Sequence, residues 1–195
     1  MSCEVNINDL KSCLLSTDFK LQIAGLEEAK RLAEEIADSA VQGLARSSNK
    51  VIYADWLSRL GPMIVPNLQE IYRSSEGETR TAAAIMLLYF GDRIGLRDVI
   101  GALKMDDPYQ FLAASKLANA QVVEAAKPIS ALLKKYVFTL PLDDEAQAST
   151  IHTLLSALRK LKVEIPADIM NKLTEPGVSK YISALVTKSM RKDSQ

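Results

Sequence analysis

Residues 79–136 read TRTAAAIMLLYFGDRIGLRDVIGALKMDDPYQFLAASKLANAQVVEAAKPISALLKKY, one helical hairpin written twice at an interval of about thirty residues. Ala84 recurs as Ala114 and Leu87 as Leu117. One more step back reaches Ala54 and Leu57 in VIYADWLSRLGP, so a third copy precedes the other two. Small and large apolar residues at helical spacing, punctuated by Gly and Pro, predict an all-α chain.

Working outward, the first clear hairpin spans 47–75. Ser47, Ser48 and Asn49 supply cap candidates, Gly61-Pro62 ends the first helix, and MIVPNLQEIYRSS forms the second. The second helices align as well: Leu68, Val99 and Ile129 share one position, while Ile71, Ala102 and Leu132 share another. Asp106-Asp107-Pro108 is a start signal for the third copy, an aspartate capping the helix and Pro fitting its first turn.

Toward the N-terminus, 1–17 reads as a cap in which Asn6 or Asn8 opens a short helix carrying Leu10, Leu14 and Leu15. Asp18 caps the next helix, whose apolar stripe includes Leu21, Ile23, Leu26, Leu32 and Ile36. Asp38-Ser39 marks an expected break into a second helix, with one long helix as the alternative. Beyond Tyr136 the spacing fails. Residues 137–149 read as an inserted loop mixing Phe138, Leu140 and Leu142 with Asp143, Asp144 and Glu145. Helices from STIHTLLSALRKL and KVEIPADIMNKLTEP follow, and 177–195 is a closing helix and tail. The expectation is one domain over 1–195.

Composition fits a folded protein, 48% hydrophobic and 25% charged, with 24 basic and 24 acidic side chains. Zero net charge removes the overall attraction to phosphate that drives non-specific nucleic-acid binding, so neither DNA nor RNA is expected as partner. Charge is nevertheless asymmetric, with eight acids and four bases in 1–45 against four acids and eight bases in 151–195. Cys3 and Cys13 are too few for a disulfide framework or a zinc site and read as free thiols. No apolar run is long enough for a membrane span, and Glu4 and Asp9 stand where a signal peptide would be basic and apolar, so the cytoplasm is the expected location and no membrane partner is expected.

The order of small residues, Leu, turn Gly and apolar second helix in TAAAIMLLYFGDRIGLRDVIGAL resembles the HEAT-repeat family, in particular the short repeats of the phycobilisome-lyase type. YADWLSRLGPMIVPNLQEI and QFLAASKLANAQVVEAAKPISALL carry it more weakly, and Gln121 departs from Gly61 and Gly91 at the turn. The resemblance implies a right-handed α-solenoid of about five to six antiparallel hairpins. It also implies that second helices line a concave face, presenting Asn67, Glu70, Tyr72, Arg73, Arg97, Lys104, Lys127, Lys134 and Lys135. That mostly basic face suits an acidic segment of another protein, with Arg73, Arg97, Lys104 and Lys134 steering it and Tyr72 as anchor.

Catalytic signatures are missing: there is no phosphate loop, zinc spacing, nucleophile elbow or dinucleotide fingerprint. His152, the only histidine, lacks a second ligand or base and reads as a half-buried structural residue. Trp56, Tyr53 and Tyr72 read as packing aromatics before interaction anchors. Glu27-Glu28 and Glu34-Glu35 flank Lys30 and Arg31, which predicts a solvated charged face rather than paired catalytic carboxylates. The expected protein is therefore a non-catalytic protein-binding module without cofactor or metal. A bacterial immunity protein neutralising a toxin and a chromophore-lyase-like enzyme are the alternatives, and the oligomeric state stays open.

Overall fold

Asp18 opens the longest element: its side chain accepts a hydrogen bond from Lys20 N at 2.8 Å, as an N-cap should. The computed structural model describes residues 7–15, 17–143 and 145–184, and among them every regular element is helical. After α1 (Ile7–Leu14), helix α2 runs unbroken from Phe19 to Arg46. The expected break at Asp38-Ser39 does not occur. Neither Gly nor Pro stands there, and the Asp38 carboxylate turns outward to accept from Gln42 Nε2 (2.8 Å) and Asn67 Nδ2 (3.3 Å) instead of capping backbone. Ala37, Val41 and Leu44 are buried, whereas Leu21, Ile23, Leu26 and Ile36 are exposed, so only part of the apolar stripe joins the core. The Asn6 cap candidate, the side chains of Asn8 and Trp56, Cys3 and the tail lie outside the described residues. Cys13 is a free, half-buried thiol.

The hairpins follow as α3 (Lys50–Leu57) with α4 (Val65–Ser74), α5 (Gly77–Tyr89) with α6 (Leu96–Gly101), α7 (Gln110–Asn119) with α8 (Ala126–Thr139), and α9 (Glu145–Lys160) with α10 (Ala167–Leu173). Asn49 Oδ1 caps α3 through Ile52 N at 3.1 Å, and Asp107 Oδ1 accepts from Tyr109 N at 2.8 Å ahead of α7. The leading helices α3, α5, α7 and α9 pack each against the next, and α4, α6 and α8 each lie on the leading helix of the following hairpin. Equivalent positions have equivalent burial. Ala54, Ala84 and Ala114, then Leu57, Leu87 and Leu117, then Leu68, Val99 and Ile129 all lie in the core.

The inner turns repeat in their backbone even where their residues differ. Gly91 N donates to Leu88 O and Asp92 N to Leu87 O. The same paired bonds run from Gln121 N to Ala118 O with Val122 N to Leu117 O, and from Lys162 N to Arg159 O with Val163 N to Leu158 O. These are Schellman turns, and each central residue takes the left-handed φ they require: 88° at Gly91, 53° at Gln121, 56° at Lys162. Gly61 has φ 78°, but Pro62 has no N–H to make the second bond, and the chain passes through two 3₁₀ turns, Ser58–Leu60 and Pro62–Ile64, into α4.

Turns at 61, 91, 121 and 162 place the interruption between the third and fourth hairpins, where forty-one residues replace thirty. Most of the extra length is helix. The expected loop at 137–149 shrinks to 140–144, because α8 continues to Thr139 and α9 starts at Glu145. Leu142 is buried and its carbonyl accepts from Ser179 N at 2.8 Å, pinning this link to the chain beyond α10.

Candidate interaction surface

The repeat register places cations at recurring positions. Arg73, Lys104 and Lys134 each stand five residues after a buried anchor, Leu68, Val99 or Ile129. Arg97 and Lys127 each stand two before one. At about 100° per residue these offsets lie roughly 140° and 160° around a helix from the anchor, so burying the anchor turns the cations outward. All five are exposed, as is Lys135. Lys104 lies just past the end of α6, in the turn that follows it.

Of the nine residues expected on this face, Arg73, Arg97, Lys104, Lys127 and Lys135 make no ion pair or side-chain hydrogen bond among the described residues. Lys134 is different. Its Nζ donates to Asp168 Oδ2 on α10 at 2.6 Å, and this hydrogen bond holds the Asp168 carboxyl below the usual carboxylate range. Asp168 and Glu175 occupy, in the fourth hairpin, the places that Lys127 and Lys134 hold in the third, so the basic row ends there. Glu175 is itself paired with Lys172 at 2.6 Å. Asn67 is half-buried and donates to Asp38, and Glu70 is an exposed carboxylate at the start of the row.

Tyr72 packs, as the first reading of this aromatic has it, and is not exposed as an anchor would be. It is 8% exposed, and it forms one wall of a groove of about 490 Å³ shared with Arg80, Arg93, Ile94, Leu96, Arg97 and Asp98. The Arg80 guanidinium lies 4.6 Å from the Tyr72 ring centroid. Its Nε donates to Asp98 Oδ2 at 3.0 Å and its Nη2 to Tyr72 Oη at 3.1 Å. Tyr72 Oη in turn donates to Asp98 Oδ2 at 2.8 Å. Burial alone would push the Asp98 carboxyl up; the bonds from Arg80 and Tyr72 outweigh it and hold the carboxyl below its ordinary value. The same contacts, the bond to Asp98 foremost, raise Arg80.

Arg93 donates through Nη2 to Ala120 O at 3.2 Å, tying its turn to the next one. Gly95 lies buried behind the groove. A Cβ there would overlap Ala84 Cβ and stand 3.0 Å from Tyr72 Cε2, so only glycine lets the start of α6 press this closely on α5 and α4. Sequence reasoning reached Tyr72 and Arg97 but missed Arg80, Arg93 and Asp98. Arg80 stands near the start of α5, Arg93 in the turn after it and Asp98 in the first turn of α6, and no sequence period links them.

A second, shallower groove of about 150 Å³ is lined by Ser115, His152, Thr153, Ser156 and Lys160. His152 is exposed rather than half-buried, because it points away from the core positions Ile151, Leu154 and Leu155. Its Nε2 lies 3.4 Å from Ser156 Oγ, beyond the reach expected of a nucleophile and its base. On α2, Arg31 bonds Glu28 at 2.7 Å and Glu35 at 3.1 Å, and Lys30 lies 3.8 Å from Glu34, which makes this the solvated charged face expected. Among the described residues no group of three or more His, Cys, Asp or Glu could hold a metal ion, and no helix is long and apolar enough to cross a membrane. No family model matches the chain, and no curated protein or solved structure matches it.

Proposed function

We propose that the protein is a non-catalytic binding module, a HEAT-like stack of hairpins that holds an acidic segment of another protein along its second helices. One observation carries this reading: Arg73, Arg97, Lys104 and Lys127 recur at register-equivalent places, exposed and unpaired among the described residues, on a molecule whose net charge is zero. Some other cations are engaged locally, as Arg31, Arg80, Lys134 and Lys172 are. A row left without counter-charge costs self-repulsion unless a partner supplies it. Rigid packed hairpins offer such a row at low ordering cost.

Steering by charge acts mainly on association rate and fades with salt. Association of the full chain with polyglutamate, followed across ionic strength, is the test. Charge reversal at Arg73 and Lys127 together should lower the rate by about tenfold at low salt and flatten its salt dependence. An unaltered salt dependence would refute the reading.

A further inference from the structure

The groove between α4, α5 and α6 differs from the rest of the basic face. Elsewhere on this face the cations Arg73, Lys104, Lys127, Lys134 and Lys135 stand on exposed surface; here three guanidiniums, Arg80, Arg93 and Arg97, line one concavity. They are not equivalent. Arg80 is spent on Asp98 and Tyr72, with a stack on the Tyr72 ring, and so forms a fixed wall. Arg93 gives one nitrogen to Ala120 O and keeps its other donors, and Arg97 makes no bond to any described residue. One carboxylate against three guanidiniums leaves the groove two positive charges in excess. Ile94, 45% exposed, and Leu96 give it an apolar side.

Resting on the reading that this face binds an acidic partner, we propose that the groove is a receptor for a phosphoryl dianion carried by a side chain of that partner. A carboxylate brings one charge and two oxygens, which one guanidinium fork can satisfy; Asp98 takes a single bond from Arg80, Nε to Oδ2. A phosphate monoester brings nearly two charges and three terminal oxygens, which matches the two guanidiniums left and the charge in excess. Arginine forks suit that geometry where lysines would act as point charges. Ile94 and Leu96 would take the apolar residues flanking the phosphorylated one.

The test uses the full chain and a pentapeptide with a central phosphoserine between leucines, titrated calorimetrically. Saturable binding is expected, at least about tenfold tighter than for the same peptide with glutamate at the centre, and absent for serine. Binding should tighten from about pH 5 to about pH 7 as the phosphate loses its second proton near about 6. Of the groove's own groups, Asp98 is held below that window and Arg80 is raised further above it. Arg93→Gln and Arg97→Gln, both at exposed positions, should each weaken the phosphopeptide about tenfold, while Lys11→Gln with Lys20→Gln, exposed and outside the basic row, should leave it unchanged. Inorganic phosphate should compete weakly, lacking the apolar contacts.

Equal affinity for the glutamate peptide, equal loss in the lysine variant, or tighter binding of a single-stranded oligonucleotide would overturn the assignment. Polyglutamate binding separates the two readings. If it persists with its salt dependence while the phosphopeptide fails, the groove assignment falls and the acidic-partner reading stands; the converse result removes the wider reading alone.

Discussion

Among the described residues three that are not glycine, Asp106, Gln121 and Lys162, adopt positive φ, and what a side chain does there decides what a substitution would do. Lys162 is exposed and contributes only its backbone to the turn. Lys162→Gly should relieve about 1–2 kcal/mol of left-handed strain, offset by about 1 kcal/mol of lost backbone freedom, for a net gain of roughly 0.5 kcal/mol in chemical denaturation. Gln121→Gly should gain nothing, because Gln121 Nε2 donates to Ala118 O and Lys160 O, each at 3.1 Å, and links the third turn to the fourth hairpin. Tyr109 offers the opposite case, a side chain whose polar atom is a burden. Its hydroxyl is buried with no hydrogen-bond partner among the described residues, and burial, with Glu78 and Asp107 nearby, pushes its ionisation far up. Tyr109→Phe should therefore stabilise the fold by about 1 kcal/mol, seen as a higher thermal midpoint. Gly43 is fixed by contact: an added Cβ would strike Tyr53 Oη, which donates to Ala40 O at 2.8 Å. Gly43→Ala should cost about 1–3 kcal/mol by the same denaturation measurement.

Between elements, the Tyr72–Arg80–Asp98 cluster is a polar junction joining three helices, α4, α5 and α6. Because Asp98 has its carboxyl pKa lowered in the folded state, its contribution is present above the ordinary carboxylate range and is lost as pH falls through the depressed value. In Asp98→Asn the acid limb of stability against pH should be shallower, the difference from the parent vanishing at the lowest pH; identical acid limbs would show that the cluster adds nothing. None of this junction was legible in the chain, since hydrogen bonds between residues 18 and 26 apart leave no periodicity. The core was legible. Leu68, Val99 and Ile129, and the alanines of the leading helices, are buried where a thirty-residue register puts them. Misreadings arose where a local signal had another outlet. Asp38 looked like a cap and found Gln42 and Asn67, His152 looked half-buried and is exposed, and 137–149 looked like a loop because the repeat spacing fails there while the helices on either side run longer. Lys134 was legible as a cation but its partner Asp168, thirty-four residues on, was not.

Across the whole molecule, charge and apolar surface are distributed unevenly. The basic row rises from one cation on α4 to three on α8 and stops at Asp168 and Glu175, so the fourth hairpin neutralises what the third presents. Removing Asp168 by Asp168→Asn should free Lys134 and strengthen polyglutamate binding severalfold at low salt, an effect that about 0.5 M salt should erase. At the other end Leu21, Leu26 and Ile36 stay exposed on α2. The turns, finally, share hydrogen bonds without sharing residues, and the extra eleven residues sit between hairpins, not inside one. Such a chain can be edited like a text with fixed line breaks. Excising 92–121 would join Gly91 directly to Val122, preserve the paired turn bonds to Leu88 and Leu87, and hand α8 to α5 as its new second helix. The shortened protein would lose Arg93, Arg97 and Lys104 while keeping Arg80 and the lysines of α8, so a single cut in register would remove the cations of the second hairpin's turn and second helix and leave those of the third.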